Sequence, residues 1–167
     1  MKNLIKFFTA KTKKELNKKE KERGDSMSKE GLKIKGGLKL TGRDKNGKIV
    51  FVKKQDNLIT NAGFDFICDV IGKATQPGDI THMAIGNGTA GNATATALTN
   101  ETDRQPATYA HTNGTKTFTL TATFSSVSGA TEYGCLNNST GGTLLNTAGF
   151  SAITVDSLEI VATFTLS

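Results

Sequence analysis

Apolar and polar residues alternate with a period of two over long stretches of this chain, most clearly towards its C-terminal end. Leu158, Ile160, Ala162, Phe164 and Leu166 alternate with Glu159, Val161, Thr163 and Thr165. Phe118, Leu120, Ala122 and Phe124 do the same against Thr117, Thr119, Thr121 and Thr123. Successive side chains of a strand point to opposite faces, so these runs put apolar members on a core and threonines on the outer face of an antiparallel sheet. Residues 132–136 read as a shorter strand. Residues 80–85 read as another, with Ile80, His82 and Ala84 opposite Thr81, Met83 and Ile85.

Structure is expected to begin at Gly31. Leu32, Ile34, Leu38 and Leu40 recur at even spacing, with Gly36 and Gly37 between them as a bulge. Asn46-Gly47 then separates this run from Ile49, Val50, Phe51 and Val52. Asn-Gly between two apolar runs is a strong hairpin signal, and it places a hairpin over residues 32–52. A change of period follows. Phe64, Ile67, Cys68 and Ile71 fall at helical spacing, which predicts a core helix over about residues 61–71 with those four on its packed face. Thr60 or Asn61 can cap its first turn, and Gly72 suits a helix end that needs positive φ. Pro77-Gly78 makes a turn, residues 86–97 a loop, and Pro106 ends whatever precedes it. About seven short strands and a single helix imply a mainly β protein, an antiparallel β-sandwich with one packed α-helix.

Composition agrees with that reading. Only 36% of the 167 residues are hydrophobic and Trp is absent, so the core draws on few positions. Thr, Gly, Asn and Ala suit strands and turns. Charge divides the chain more sharply. Residues 1–54 hold 18 Lys+Arg against 6 Asp+Glu, whereas residues 55–167 hold 3 against 9, so a surplus of +12 precedes a deficit of −6. Residues 1–30 are expected to form a basic, helix-competent N-terminal arm, and residues 31–167 the β-rich domain. In the arm, Leu4, Ile5, Phe7 and Phe8 are apolar anchors for a groove on a partner, and Lys11, Lys13, Lys14, Lys18 and Lys19 steer it electrostatically. Met27 is an alternative translation start, which the sequence leaves open.

Candidate chemistry changes the picture little. No Ser sits in a Gly-x-Ser-x-Gly context, and His82 and His111 lie in different elements. Asp65 and Asp69 belong to a solvated helix face. No catalytic or metal-ligating set is assigned, no cofactor is implied, and the chain is not read as an enzyme. The 86–91 segment resembles a phosphate loop only in its glycines, because no Gly-Lys-Ser/Thr follows. Cys68 and Cys135 lack metal or redox spacing and read as small buried hydrophobes, a disulfide being the less favoured alternative. No apolar run is long enough to span a bilayer, and residues 4–8 are too short and too charged for a secretory signal, which implies a product made in the cytoplasm.

Three segments in order carry a resemblance. They are Thr60-Asn61-Ala62-Gly63, then Ile80-Thr81-His82-Met83-Ala84-Ile85-Gly86-Asn87-Gly88, then Leu98-Thr99-Asn100-Glu101 with Arg104. Together with Glu132-Tyr133-Gly134 and Gly142-Thr143-Leu144, they make residues 55–167 similar to the N-terminal module of phage tail-collar fibre proteins. Fibres of that family continue into a shaft and tip, and the basic arm and hairpin are additions to the family's pattern. The resemblance implies a standalone virion structural protein, made in the host cytoplasm and attached by its arm to other virion proteins of the capsid, neck or tail. On the capsid it would be a decoration or head-fibre protein. By the same analogy it implies a homo-oligomer, a trimer in the first instance, with no small-molecule substrate and no membrane. Arg104 and Glu132 are expected to form an internal ion pair that orients the loop on the sheet.

Three other roles stay open at this stage. One is a collar or baseplate adaptor for a receptor-binding fibre. Another is a carbohydrate- or receptor-binding module, against which stands the shortage of stacking aromatics, with no Trp and two Tyr. The third is a DNA-associated internal protein, for which the lysines leave incidental DNA contact open.

Overall fold

Two very long strands organise the molecule. The structure is a computed structural model and describes residues 31–167; the arm anchors Leu4, Ile5, Phe7 and Phe8 and the arm lysines Lys11, Lys13, Lys14, Lys18 and Lys19 lie outside the described residues. In chain order the elements are β1 (Ile34–Arg43), β2 (Ile49–Ile59), α1 (Asn61–Gly72), β3 (His82–Gly86), β4 (Glu101–Pro106), β5 (Thr108–His111), β6 (Thr117–Leu136) and β7 (Leu144–Leu166). All pairings are antiparallel, and seven strands form one hydrogen-bonded sheet of order β1-β2-β7-β6-β3-β4, with β5 on β6 and β1 also on β7. The fold is mainly β and β-sandwich-like, with one helix.

The β6–β7 pair runs through both halves of the sheet. Its outer part, from Thr117↔Thr165 to Ser125↔Ser157, continues sideways into β5 and β1. Its inner part, from Glu132↔Gly149 to Leu136↔Leu144, continues into β3. Between them the register slips twice, and Ser126 and Gly129 take positive φ there. Bulges of this kind bend a strand, so the sheet turns over on itself at this point. Leu40, Leu120, Phe124, Ile160 and Phe164 from one half then share a core cluster with Met83, Ile85, Tyr133 and Cys135 from the other.

The threonine alternation survives in the folded chain. Leu120, Ala122 and Phe124 are buried, as are Leu158, Ile160, Ala162 and Phe164, while the intervening threonines are half-buried or exposed. The hairpin forms as its turn chemistry requires. Asp44 Oδ1 accepts from the amides of Asn46 (2.9 Å) and Lys48 (3.0 Å), and Gly47 holds φ 77°. Its bulge lies elsewhere than expected. Gly36 and Gly37 pair regularly with Asn57 and Asp56, and the slip falls between Gly42 and Arg43.

Two expectations about the helix are corrected. Its buried residues are Gly63 and Phe66, whereas Phe64 is 48% exposed, Ile71 is 71% exposed and Cys68 is exposed. The packed stripe is therefore shifted by one residue from the expected one. The cause is the close seat of Gly63, where a Cβ would lie 2.0 Å from the Leu145 carbonyl oxygen and so rotates that side inward. Gly72 is the last helical residue without positive φ. Lys73 caps the end in an extended conformation, its amide bonded to the Asp69 carbonyl at 2.9 Å. Cys135 is buried as expected, Cys68 is not, and both are free thiols. His82 is half-buried and His111 is exposed.

Candidate functional site

Chain segments far apart in sequence meet around Glu132. This residue is in β6, paired across to Gly86 of β3 on one side and Gly149 of β7 on the other, and is fully buried. Its carboxylate accepts the amides of Thr99 (3.0 Å) and Asn100 (2.8 Å). A buried carboxylate is tolerated only when hydrogen bonds replace its lost hydration, and two charge-assisted bonds to N–H groups do so here. The glycines of the 86–88 turn make the space. A Cβ on Gly86 would lie 2.4 Å from the Asn100 carbonyl, and one on Gly88 would lie 2.6 Å from Glu132 Oε1. Thr131 Oγ1 donates to the Gly88 carbonyl at 2.6 Å, and Thr99 Oγ1 to that of Thr89 at 2.6 Å. Leu98 closes the turn over Ala84, Leu136 and Leu144 in a second small core. Thus β3 is covered on both faces, which explains why Met83 to Gly86 are all buried.

Arg104 and Glu132 do not pair, contrary to expectation. Through the ladders Arg104↔Ala84↔Gly134 and Glu101↔Gly86↔Glu132 they lie two strands apart and offset along them, roughly 12 Å at sheet spacing. Arg104 instead grips Glu101 bidentately, Nε to Oε1 at 2.7 Å and Nη2 to Oε2 at 2.6 Å. Its Nη1 donates to the carbonyls of Asn138 and Gly141, both at 2.8 Å, and so holds the β6–β7 loop. Both residues staple loops, by separate means.

The start of α1 is fixed with equal economy. Thr60 Oγ1 accepts the Gly63 amide (2.9 Å) and donates to the Leu144 carbonyl (2.5 Å), and the Asn61 amide reaches the Ala93 carbonyl (2.7 Å). Beside it runs a buried polar relay that no sequence signal announced. Tyr133 Oη accepts from Asn57 Nδ2 (2.8 Å) and from Asn146 Nδ2, while Asn146 Oδ1 accepts the Cys135 amide (3.2 Å). Burial pushes the Tyr133 phenol well above its ordinary value, and burial likewise raises the Cys135 thiol to about 12. Both groups are therefore inert at neutral pH.

Two depressions stand out among the described residues. An apolar groove of about 280 Å³ separates α1 from the sheet, with Phe66, Val70 and Ile71 on one wall and Ile34, Phe118 and Leu166 on the other. A second, of about 310 Å³, is lined by Ser125, Ser126, Ser128, Thr102 and Asp103. Its single carboxylate is bonded to Gln105 Nε2 at 3.0 and 3.2 Å. His82 and His111 lie in β3 and β5, bonded to Thr81 Oγ1 (2.9 Å) and the Thr117 carbonyl (2.8 Å). Among the described residues no three His, Cys, Asp or Glu side chains gather as a metal site, and no helix is long and apolar enough to cross a membrane. The chain matches no family model, no curated protein and no solved structure in the three comparisons. What its residues do together must carry the functional reading.

Proposed function

We propose that this protein is a non-enzymatic structural component of a tailed-phage virion, attached through its N-terminal arm to the capsid, as a decoration or head-fibre protein, or to the neck or tail. The observation that carries the reading is the convergence on structural tasks of the residues similar to those of collar-fibre modules. Thr60 and Gly63 seat the helix, Gly86 and Gly88 admit the Glu132 carboxylate, Thr99 and Asn100 receive it, and Arg104 with Glu101 binds the 138–141 loop. Side chains spent on holding loops to a sheet build a rigid mounting block, the property a particle component needs. The arm adds apolar anchors at Leu4, Ile5, Phe7 and Phe8 and a lysine run beyond them. Copies assemble with one another, in the first instance as a trimer.

Gold-labelled antibody against residues 55–167, applied to intact purified particles, tests this directly. Label over the head supports a capsid role, and label at the neck or tail tip supports the adaptor role. Particles that carry no label before or after disruption, and no peptide of this chain by mass spectrometry, overturn the reading.

A further inference from the structure

β1 is an interior strand, flanked by β2 and by the C-terminal part of β7, yet its outward face carries cations. Lys39 stands directly opposite Lys54 of β2, and both are exposed. Lys35 and Arg43 lie four residues to either side of Lys39 on the same face, about 13 Å away at strand rise. Like charges directly opposed across an antiparallel pair work against folding. β2 meets β7 only at Leu58 and Ile59, so the rest of it is an edge, where lysines guard against pairing with other chains; this accounts for Lys53 and Lys54. It does not account for Lys35 and Lys39 on a strand already paired on both sides.

The surroundings narrow the partner. On the same face β7 presents Ser157, Val161, Thr163 and Thr165 and β2 presents the exposed Val52, so hydroxyl and small apolar groups lie between the charges. Asp56 and Glu159 share it, which leaves the cations ahead by four to two. No aromatic ring projects from this face to stack on a nucleic-acid base, which single-stranded binding needs. A sheet face with a net excess of cations suits an acidic protein surface.

We propose that the outward face of the β1–β2 hairpin, centred on the Lys39–Lys54 pair, docks an acidic protein surface of the particle. The inference rests on the virion reading and extends it, making a folded surface part of the attachment. The repulsion between the two lysines is then kept because the partner relieves it.

Opposite signs in two measurements test this. Lys54→Glu in the full chain puts a carboxylate opposite Lys39, so Tm rises by roughly 1–3 °C. Binding to purified particles stripped of this protein falls about tenfold at low salt. Lys54→Arg keeps binding, and Lys116→Glu, the same charge change on an exposed residue at another site, leaves it within about twofold. Binding that is unchanged in Lys54→Glu, or lost equally in Lys116→Glu, overturns the surface while leaving the virion reading intact. Equal or stronger binding of the wild-type chain to duplex DNA, lost in Lys54→Glu, makes the partner nucleic acid and overturns the protein assignment. A wild-type chain that does not bind stripped particles fails the virion reading, and the acidic partner named here falls with it.

Discussion

The surroundings of Glu132 and the length of α1 invert the usual placement of polar and apolar groups. At the first, a carboxylate is wholly buried and hydrogen-bonded. Along the second, Phe64, Val70 and Ile71 stand substantially exposed, the last two lining an apolar groove. The difference shows what each region depends on. The loops over β3 are short of apolar side chains and are held by directed bonds, which fail completely when one partner is removed. The helix is held by its capped, tightly seated first turn, and its far end contributes little to the fold.

That contrast breaks first at Glu132. Replacing it by Ala strands the Thr99 and Asn100 amides and opens a cavity, at a cost of about 3–5 kcal/mol. Chemical denaturation should show the loss, and faster amide exchange at Thr99 and Asn100 should localise it. A variant with wild-type stability would show that the loop stands without its carboxylate. At the helix seat, Gly63→Ala forces a methyl group into the Leu145 carbonyl and costs about 3 kcal/mol. Its circular dichroism should lose helix before strand.

Alkali sharpens the comparison from the buried side. The Tyr133 and Cys135 values are raised in the folded state, so their stabilising contribution is complete at neutral pH. It declines once the unfolded groups ionise, from about pH 9 for the thiol and pH 10 for the phenol, and is lost as pH rises through the folded values. Each group contributes at most about 1.4 kcal/mol per pH unit within its window. Urea midpoints should fall steeply between about pH 9 and 12, and Cys135→Ala should flatten the lower part of that fall. A profile unaltered by the substitution would place the alkaline loss elsewhere. In the native protein at neutral pH, iodoacetamide should modify Cys68 and spare Cys135, read by mass spectrometry. The smallest effect belongs to the exposed helix end, where Ile71→Ser should change stability by less than about 0.5 kcal/mol. A larger loss would mean that Ile71 is covered in solution.

Local pattern by itself determined the strands at 117–124 and 158–166, the Asp44–Gly47 turn, a helix cap at Thr60 or Asn61 and the mainly β class. Each depends on alternation or on turn and cap chemistry that neighbouring residues supply. Tertiary structure alone decided that β6 and β7 continue through a bend as single strands of 20 and 23 residues. Leu144 to Ala148 are buried in succession, so this part of β7 offered no alternation to read. Tertiary structure also chose the helix face, because stripes one residue apart are both apolar and only the Leu145 carbonyl, 82 positions from Gly63, selects between them. The partners of Glu132 and Arg104 were settled in the same way. Charge and spacing admit many pairings, and a buried carboxylate takes the donors that the folded backbone brings to it.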